Sequence, residues 1–99
     1  MTVAVALAGS TGSIGRQTLE VIDASNGRYR VVSLAAASNE AVLREQIARY
    51  RPDVVAVVDS AVRSRLSGDF PAVEFSDDVA DGVLPRRNAD PVGQLIFST

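Results

Sequence analysis

Gly9, Gly12 and Gly15 recur at every third position in LAGSTGSIGRQTLEVID, a stretch that begins at Leu7. It joins the apolar run Val3–Ala8 to a segment with helical spacing. A helix that opens there exposes its leading N–H groups and the positive end of its dipole, and together these hold an anion such as a phosphate. A side chain at the turn would keep that anion at a distance. In this chemistry Gly9 permits the tight turn off the strand, Gly12 lets a ligand approach the backbone, and Gly15 lets the helix pack closely on the strand. Ser10, Thr11 and Ser13 add hydroxyl donors with little bulk. G-x-x-G-x-x-G, with a strand before it and a helix after it, reads as a dinucleotide-binding loop of looser spacing than G-x-G-x-x-G. A glycine-rich turn that binds nothing is the competing reading.

A second informative place is Ala36-Ala37-Ser38-Asn39, where the next strand ends. Sites selective for NAD often carry Asp or Glu there to bind the ribose 2′-OH. Here the first acid is Glu40, already in the following helix. Small and polar residues at Ala37, Ser38 and Asn39 leave room for a 2′-phosphate, which favours NADP over NAD. Arg16 and Arg44 are candidate counter-charges, with solvated surface charge as the alternative for both. Ser38 or Asn39 also suits a helix N-cap. Asp53, Asp59, Asp69, Asp77, Asp78 and Asp81 raise the question of a divalent metal, but acids at strand ends and helix N-termini explain them better. Arg86-Arg87 reads as a solvated pair.

The elements that must position these residues follow from periodicity. Val3–Ala8 is a short, continuously apolar run, as in a strand buried on both faces of a parallel sheet. Ile14, Thr18, Val21 and Ile22 have the spacing of one helix face, and Asn26-Gly27 stops that helix. Tyr29–Ala37 is a second strand. Leu43, Ile47 and Tyr50 mark the inner face of a second helix, with Arg44, Glu45, Gln46 and Arg49 mostly on its outer side, and Pro52 ends it. Asp53 to Asp59 brackets a third buried strand. Ser60 caps a short helix through Leu66, and Val73-Glu74-Phe75 is a weaker strand. The order β-α-β-α-β-α-β with short links predicts an α/β fold, a doubly wound parallel sheet forming a partial Rossmann-like NAD(P)-binding domain over residues 1–75. Residues 76–99 read as a divergent C-terminal tail. A helix from Asp77 to Val83 capped by Ser76 fits its start, irregular structure is expected past Pro85, and Leu95-Ile96-Phe97 is either an edge strand or an unpacked end.

Composition removes several classes of function. The chain has 99 residues and a net charge of -2, which suits one small domain and gives no basic field to attract nucleic acid or anionic membrane. It has two Tyr, three Phe and no Trp, too few for a base-stacking platform. It has no Cys and no His, so thiolate or imidazole metal sites, a cysteine nucleophile and a Ser-His-Asp triad are excluded within it. No apolar run approaches the roughly 20 residues of a membrane span. Met1-Thr2 leads straight into a strand with no signal-peptide pattern, so a cytoplasmic location is expected.

GSTGSIGRQTLEVID, followed by RYRVVSLAAASN and RPDVVAVVD, resembles the N-terminal part of the 1-deoxy-D-xylulose 5-phosphate reductoisomerase family over about residues 3 to 75. That family converts 1-deoxy-D-xylulose 5-phosphate to 2-C-methyl-D-erythritol 4-phosphate with NADPH, in non-mevalonate isoprenoid synthesis. The resemblance implies that Thr11, Gly12, Ser13 and Ile14, framed by Gly9 and Gly15, meet the pyrophosphate. It also brings Ala37, Ser38 and Asn39 to the cofactor, where the family typically has Gly-Lys-Asn. Asn39 agrees, while Ala37 and Ser38 depart. A missing lysine removes a charge-assisted contact of about 1.5–3 kcal/mol, so NADPH affinity falls unless Arg44 compensates.

The family also implies Mg or Mn, held by an Asp and two Glu that follow an Asn-Lys-Glu segment, and a C-terminal helical region. None of these has a counterpart in this sequence. The expectation is therefore a cofactor-binding part that does not catalyse the reaction alone, with dinucleotide as its partner. An open sheet edge would invite self-association or a missing catalytic half. A free-standing, non-catalytic NADP-binding module, a poorly folding product, and a fragment of another GxxGxxG reductase are the alternatives. The last class includes the aspartate-semialdehyde, dihydrodipicolinate and extended short-chain reductases.

Overall fold

The computed structural model describes residues 3–77 and, as backbone, residues 94–97. Among the described residues three helices and five strands follow in the order β1 (Val3–Ala8), α1 (Ser13–Asp23), β2 (Tyr29–Ala36), α2 (Glu40–Tyr50), β3 (Val54–Val57), α3 (Ser60–Asp69), β4 (Glu74–Ser76) and β5 (Gln94–Phe97). The strands form one five-stranded sheet in the order β4-β3-β2-β1-β5, and every neighbouring pair is parallel. The expected doubly wound parallel α/β sheet is present. Leu95, Ile96 and Phe97 fall in β5, an edge strand paired with β1 at Leu95↔Ala6, Ile96↔Leu7 and Phe97↔Ala8. The expected helix through Val83 and the irregular stretch beyond Pro85 lie outside the described residues.

The continuous apolar runs become strands covered on both faces. All of β3 is buried, as are the last four residues of β1. Val5, Leu7, Val31, Leu34, Val55 and Val57 pack with Leu19, Ile22, Leu43, Ile47, Val62 and Leu66 in the main core. Each fully buried Leu or Val contributes about 1.5–3 kcal/mol. Ala8, Ala35 and Ala56 form a second, small-residue cluster.

Helix α1 is rotated from the expected face. Its buried residues are Gly15, Leu19 and Ile22, while Ile14 is 53% and Val21 66% exposed. The cause is Gly15, whose bare backbone is pressed against the turn after β1 and so sets which side of the helix faces inward. Asn26 and Gly27, both at positive φ (57° and 82°), end this connection as the stop signal predicts.

Helix α2 buries Leu43 and Ile47 as expected, with Tyr50 partly buried against the core. Gln46, expected on the outer side, is buried instead. Asn39 is the N-cap, its side chain accepting from the Val42 N–H at 3.3 Å. Helix α3 is capped by Asp59 and not by Ser60: the Asp59 carboxylate accepts from the Ala61 and Val62 amides, each at 3.0 Å. That helix runs on to Asp69, past the expected end at Leu66.

The helices are pinned to one another by exposed ion pairs. Glu40 lies between Arg44, at 3.1 Å, and Arg65, at 2.7 Å, and Arg44 also reaches Asp69 at 2.6 Å. At the far end of α2, Arg49 reaches Asp23 of α1 at 3.0 Å, and the Tyr50 hydroxyl donates to the same carboxylate. Hydrogen bonds from Arg65 and then Arg44 hold the Glu40 carboxyl below its ordinary value of 4.5. A carboxylate with a lowered folded pKa stabilises the fold above its unfolded value, and that contribution is lost as pH falls through the folded one. Glu40→Gln is therefore expected to lower the melting temperature slightly at pH 7, with the difference from the parent closing below about pH 4.5. Thermal melts across pH 3–7 test this, and a gap that stays constant with pH would exclude the ion pairs as its source.

Candidate functional site

The turn after β1 is built almost wholly from backbone. Gly9 takes φ 76°, a left-handed conformation that glycine adopts without strain. The Gly9 and Ser10 amides both donate to the Ala35 carbonyl of β2, at 2.7 and 3.1 Å, and the Gly12 amide closes a turn on the Gly9 carbonyl at 3.1 Å. Helix α1 then begins. A Cβ on Gly15 would collide with the Gly9 carbonyl oxygen and lie 2.8 Å from Ser10 Cα. Gly15 is thus the contact that seats the helix on the strand, as its spacing predicts. Gly12 is different: its φ of -78° and ψ of 173° are open to any residue, so the backbone conformation does not require glycine there.

The three helix N-termini are unlike one another. Helices α2 and α3 are capped by Asn39 and Asp59, and α2 carries Glu40 in its first turn. Helix α1 has Gly12 as its N-cap, no side-chain cap and no acid in its first turn. Among the described residues its leading N–H groups and dipole thus have neither a side-chain cap nor a first-turn carboxylate. Thr11 and Gly12 are partly exposed, and Ser13 and Ile14 are exposed. Ser10 departs from its expected role as a ligand-facing hydroxyl because it is fully buried.

Ala37, Ser38 and Asn39 are exposed at the end of β2. They share a rim with the glycine turn, because Gly9 and Ser10 bond to Ala35, just upstream. The carbonyls of Ala36 and Ala37 accept from Val58 and Asp59, which ties this corner to the end of β3. Of the two candidate cations, Arg44 is held by Glu40 and Asp69, so its charge is already paired. Arg16 is exposed in the first turn of α1 and makes no ion pair among the described residues. A surface depression of about 480 Å³, lined by residues such as Ile47, Pro52, Phe70 and Val73, lies at the opposite ends of the strands.

Gln46 belongs to this site although its residue type reads as outer surface. Its side-chain amide donates to the Ser10 carbonyl at 2.8 Å. The signal was available: Leu43, Gln46, Ile47 and Tyr50 follow i, i+3, i+4, i+7, so a polar residue stands within an apolar stripe.

The sequence matches the family model of 1-deoxy-D-xylulose 5-phosphate reductoisomerase over residues 5–85. The chain belongs to the 1-deoxy-D-xylulose 5-phosphate reductoisomerase family. A reductoisomerase from Synechococcus sp. is 54% identical over 63 residues, which cover 64% of this chain and 16% of that protein. One from Synechococcus sp. strain CC9311 is 48% identical over 90 residues, 91% of this chain and 21% of that protein. The chain thus spans about a fifth of the length of relatives it matches. A solved structure of the Zymomonas mobilis reductoisomerase in complex with NADPH superimposes with a TM-score of 0.69 at 28% identity, over 77% of this chain and 21% of that one. The likeness runs past residue 75, where the motifs that carry it end, since the family model reaches residue 85. It favours the reductoisomerases over the other GxxGxxG reductases.

The two inner glycines should respond differently to one added methyl group. Gly15→Ala forces a Cβ into the Gly9 carbonyl and is expected to destabilise the fold by about 1–3 kcal/mol, the usual cost of overpacking. Gly12→Ala is expected to change stability by well under 1 kcal/mol, because its backbone is already in an ordinary conformation. Denaturant melts of both variants test this. Equal losses would show that the turn is constrained at both places.

Proposed function

We propose that this chain is the NADPH-binding N-terminal part of a 1-deoxy-D-xylulose 5-phosphate reductoisomerase, cytoplasmic, and not catalytic by itself. The observation that carries the reading is the uncapped, acid-free N-terminus of α1 at the carboxyl end of β1, beside the place where strand order reverses between β2 and β5. Open α/β sheets bind ligands at that point. Gly9, Thr11, Gly12, Ser13, Ile14 and Gly15 form the pyrophosphate side of the site. Gly12 leaves the space through which a phosphate oxygen reaches the first amides of α1. Ala37, Ser38 and Asn39 form the adenosine side, where none of the three carries a carboxylate, which suits a 2′-phosphate, and Arg16 makes no ion pair among the described residues.

Two features support the dinucleotide reading: Gly15 lets α1 sit directly on the Gly9–Ser10 backbone, and Gly9 makes the tight turn off β1. When bound, NADPH supplies the hydride of the family's reduction. The residues of this chain hold and orient it. The family's metal has no such fit: among the described residues no three acidic side chains are grouped to hold a cation, and no metal-dependent step is assigned to them. Also among the described residues, no helix is long and apolar enough to cross a membrane. The partner of the chain is the dinucleotide. The catalytic half pairs with it through the exposed sheet edge, or a second copy takes that place.

Titration calorimetry of the 99-residue chain with NADPH and NADH tests this reading. Micromolar binding of NADPH is expected, with NADH weaker by about tenfold, the size of one charge-assisted contact. Gly12→Asp should abolish binding of both, because it fills the approach and places a carboxylate against the phosphate. A folded chain that binds neither dinucleotide would overturn the proposal, and turnover of 1-deoxy-D-xylulose 5-phosphate by this chain with NADPH and Mg²⁺ would overturn the claim that it is not catalytic alone.

A further inference from the structure

The buried face of α2 carries one polar side chain. Gln46 is 6% exposed, between Leu43 and Ile47 at 0% and 1%. Its Nε2 donates to the Ser10 carbonyl at 2.8 Å, while its Oε1 and the hydroxyl of Ser10 are buried without a hydrogen-bond partner among the described residues. A buried amide half-satisfied in this way is costly, and an apolar residue of the same length would pack the α2 face with less polar burial. Core packing alone therefore gives no reason for glutamine at this place.

The geometry of the peptide unit supplies one. The Ser10–Thr11 peptide is trans, as the described residues contain no cis bond, so its C=O and N–H lie in one plane and point in opposite directions. With the Ser10 carbonyl held toward α2, the Thr11 N–H is turned away from α2. That amide makes no hydrogen bond among the described residues. Ser10 is fixed on two other sides, by its own amide on the Ala35 carbonyl at 3.1 Å and by the close approach of Gly15. The Gly9–Gly12 turn spans the following peptide as well, and the Gln46 hydrogen bond adds a direct side-chain hold on its carbonyl.

We infer that Gln46 is a positioning residue for the dinucleotide: by anchoring the Ser10 carbonyl it aims the Thr11 N–H at the pyrophosphate. This rests on the dinucleotide reading above. Gln46 touches no ligand, and its effect passes through one peptide plane. Without the anchor the plane is held less firmly, and a rotated plane presents the carbonyl oxygen, the negative end of the peptide dipole, to the phosphate. The hydroxyl of Ser10 lies within the same buried pocket of polarity and cannot replace the amide, because Ser10 belongs to the plane being held.

The test compares affinity with stability in the 99-residue chain. Gln46→Met keeps length and removes the donor. Gln46→Glu keeps shape, but its carboxylate cannot donate until protonated. Ile47→Val trims the neighbouring core position and serves as a purely structural control. NADPH affinity by calorimetry should fall about tenfold in Gln46→Met, the equivalent of one lost hydrogen bond. It should stay within about twofold in Ile47→Val, despite a lower melting temperature. In Gln46→Glu the affinity should recover as pH is lowered from 8 to 5, relative to the parent at each pH. Parent-like affinity in Gln46→Met, or an equal loss in Ile47→Val at matched melting temperature, would overturn the inference. If Gln46→Met does not fold, a pH-independent affinity in Gln46→Glu overturns it instead. A folded parent that binds no NADPH overturns the dinucleotide reading, and this role with it. A parent that binds while the Gln46 variants match it overturns the role alone.

Discussion

The approach of Gly15 to the Gly9–Ser10 backbone is the constraint on which the rest of this structure depends. Two backbones meet with no side chain between them, and a single Cβ would not fit. That contact fixes how far α1 lies from β1 and how it is rotated about its own axis. Leu19 and Ile22 follow Gly15 inward, and Ile14 and Val21 are carried to the surface. It also delivers the first amides of α1 to the carboxyl end of β1, with no side-chain cap on them among the described residues. The contact that packs the helix is thus also the one that places its N-terminus. A helix seated further out would bury the same leucine less well and would withdraw its amides from the rim.

Around that contact the chain separates its two kinds of interaction. Apolar burial runs through the middle of the sheet, where β3 is wholly inside and α2 and α3 cover it with Leu43, Ile47, Val62 and Leu66. Ion pairs stay at the surface, where Glu40 and Asp69 engage Arg44 and Arg65, and Asp53 engages Arg30 at 3.0 Å. Exposed pairs of this kind add little individually but fix the angle between helices. Their arrangement also pairs Arg44, which the sequence offers as a counter-charge, with Glu40 and Asp69.

Much of this was legible in the residues. VAVALA, YRVVSLAA and VVAV announce strands buried on both faces because no polar residue interrupts their cores, apart from Ser33 in the second. The glycine spacing marks both the turn and the close helix. What escaped was tertiary in origin. The inward face of α1 was read from its apolar residues, yet a glycine with no hydrophobicity at all decides it. Gln46 was assigned outward by its polarity, though its position in the apolar stripe of α2 outweighs its type. Asp59 and Ser60 are both good caps, and only the extended backbone at Asp59, φ -70° and ψ 117°, chooses between them. Arg44 looked available because its partner Asp69 lies on another helix, 25 residues away.

Strand β5 was the least legible element and has the largest effect on the site. Its four residues, Gln94–Phe97, follow a stretch rich in acids, prolines and arginines, and nothing in so short a run says which neighbour it will choose. Pairing beside β1 rather than outside β4 changes the meaning of the whole sheet. With β5 outside β4 the order would run in one direction, and β1 would be an edge, its turn open on one side. With β5 beside β1, β1 lies between β2 and β5, and the glycine turn rises from the interior of the sheet. The glycine turn in the first fifteen residues thus takes its interior place in the sheet from a pairing made some eighty residues later, which local sequence pattern does not encode.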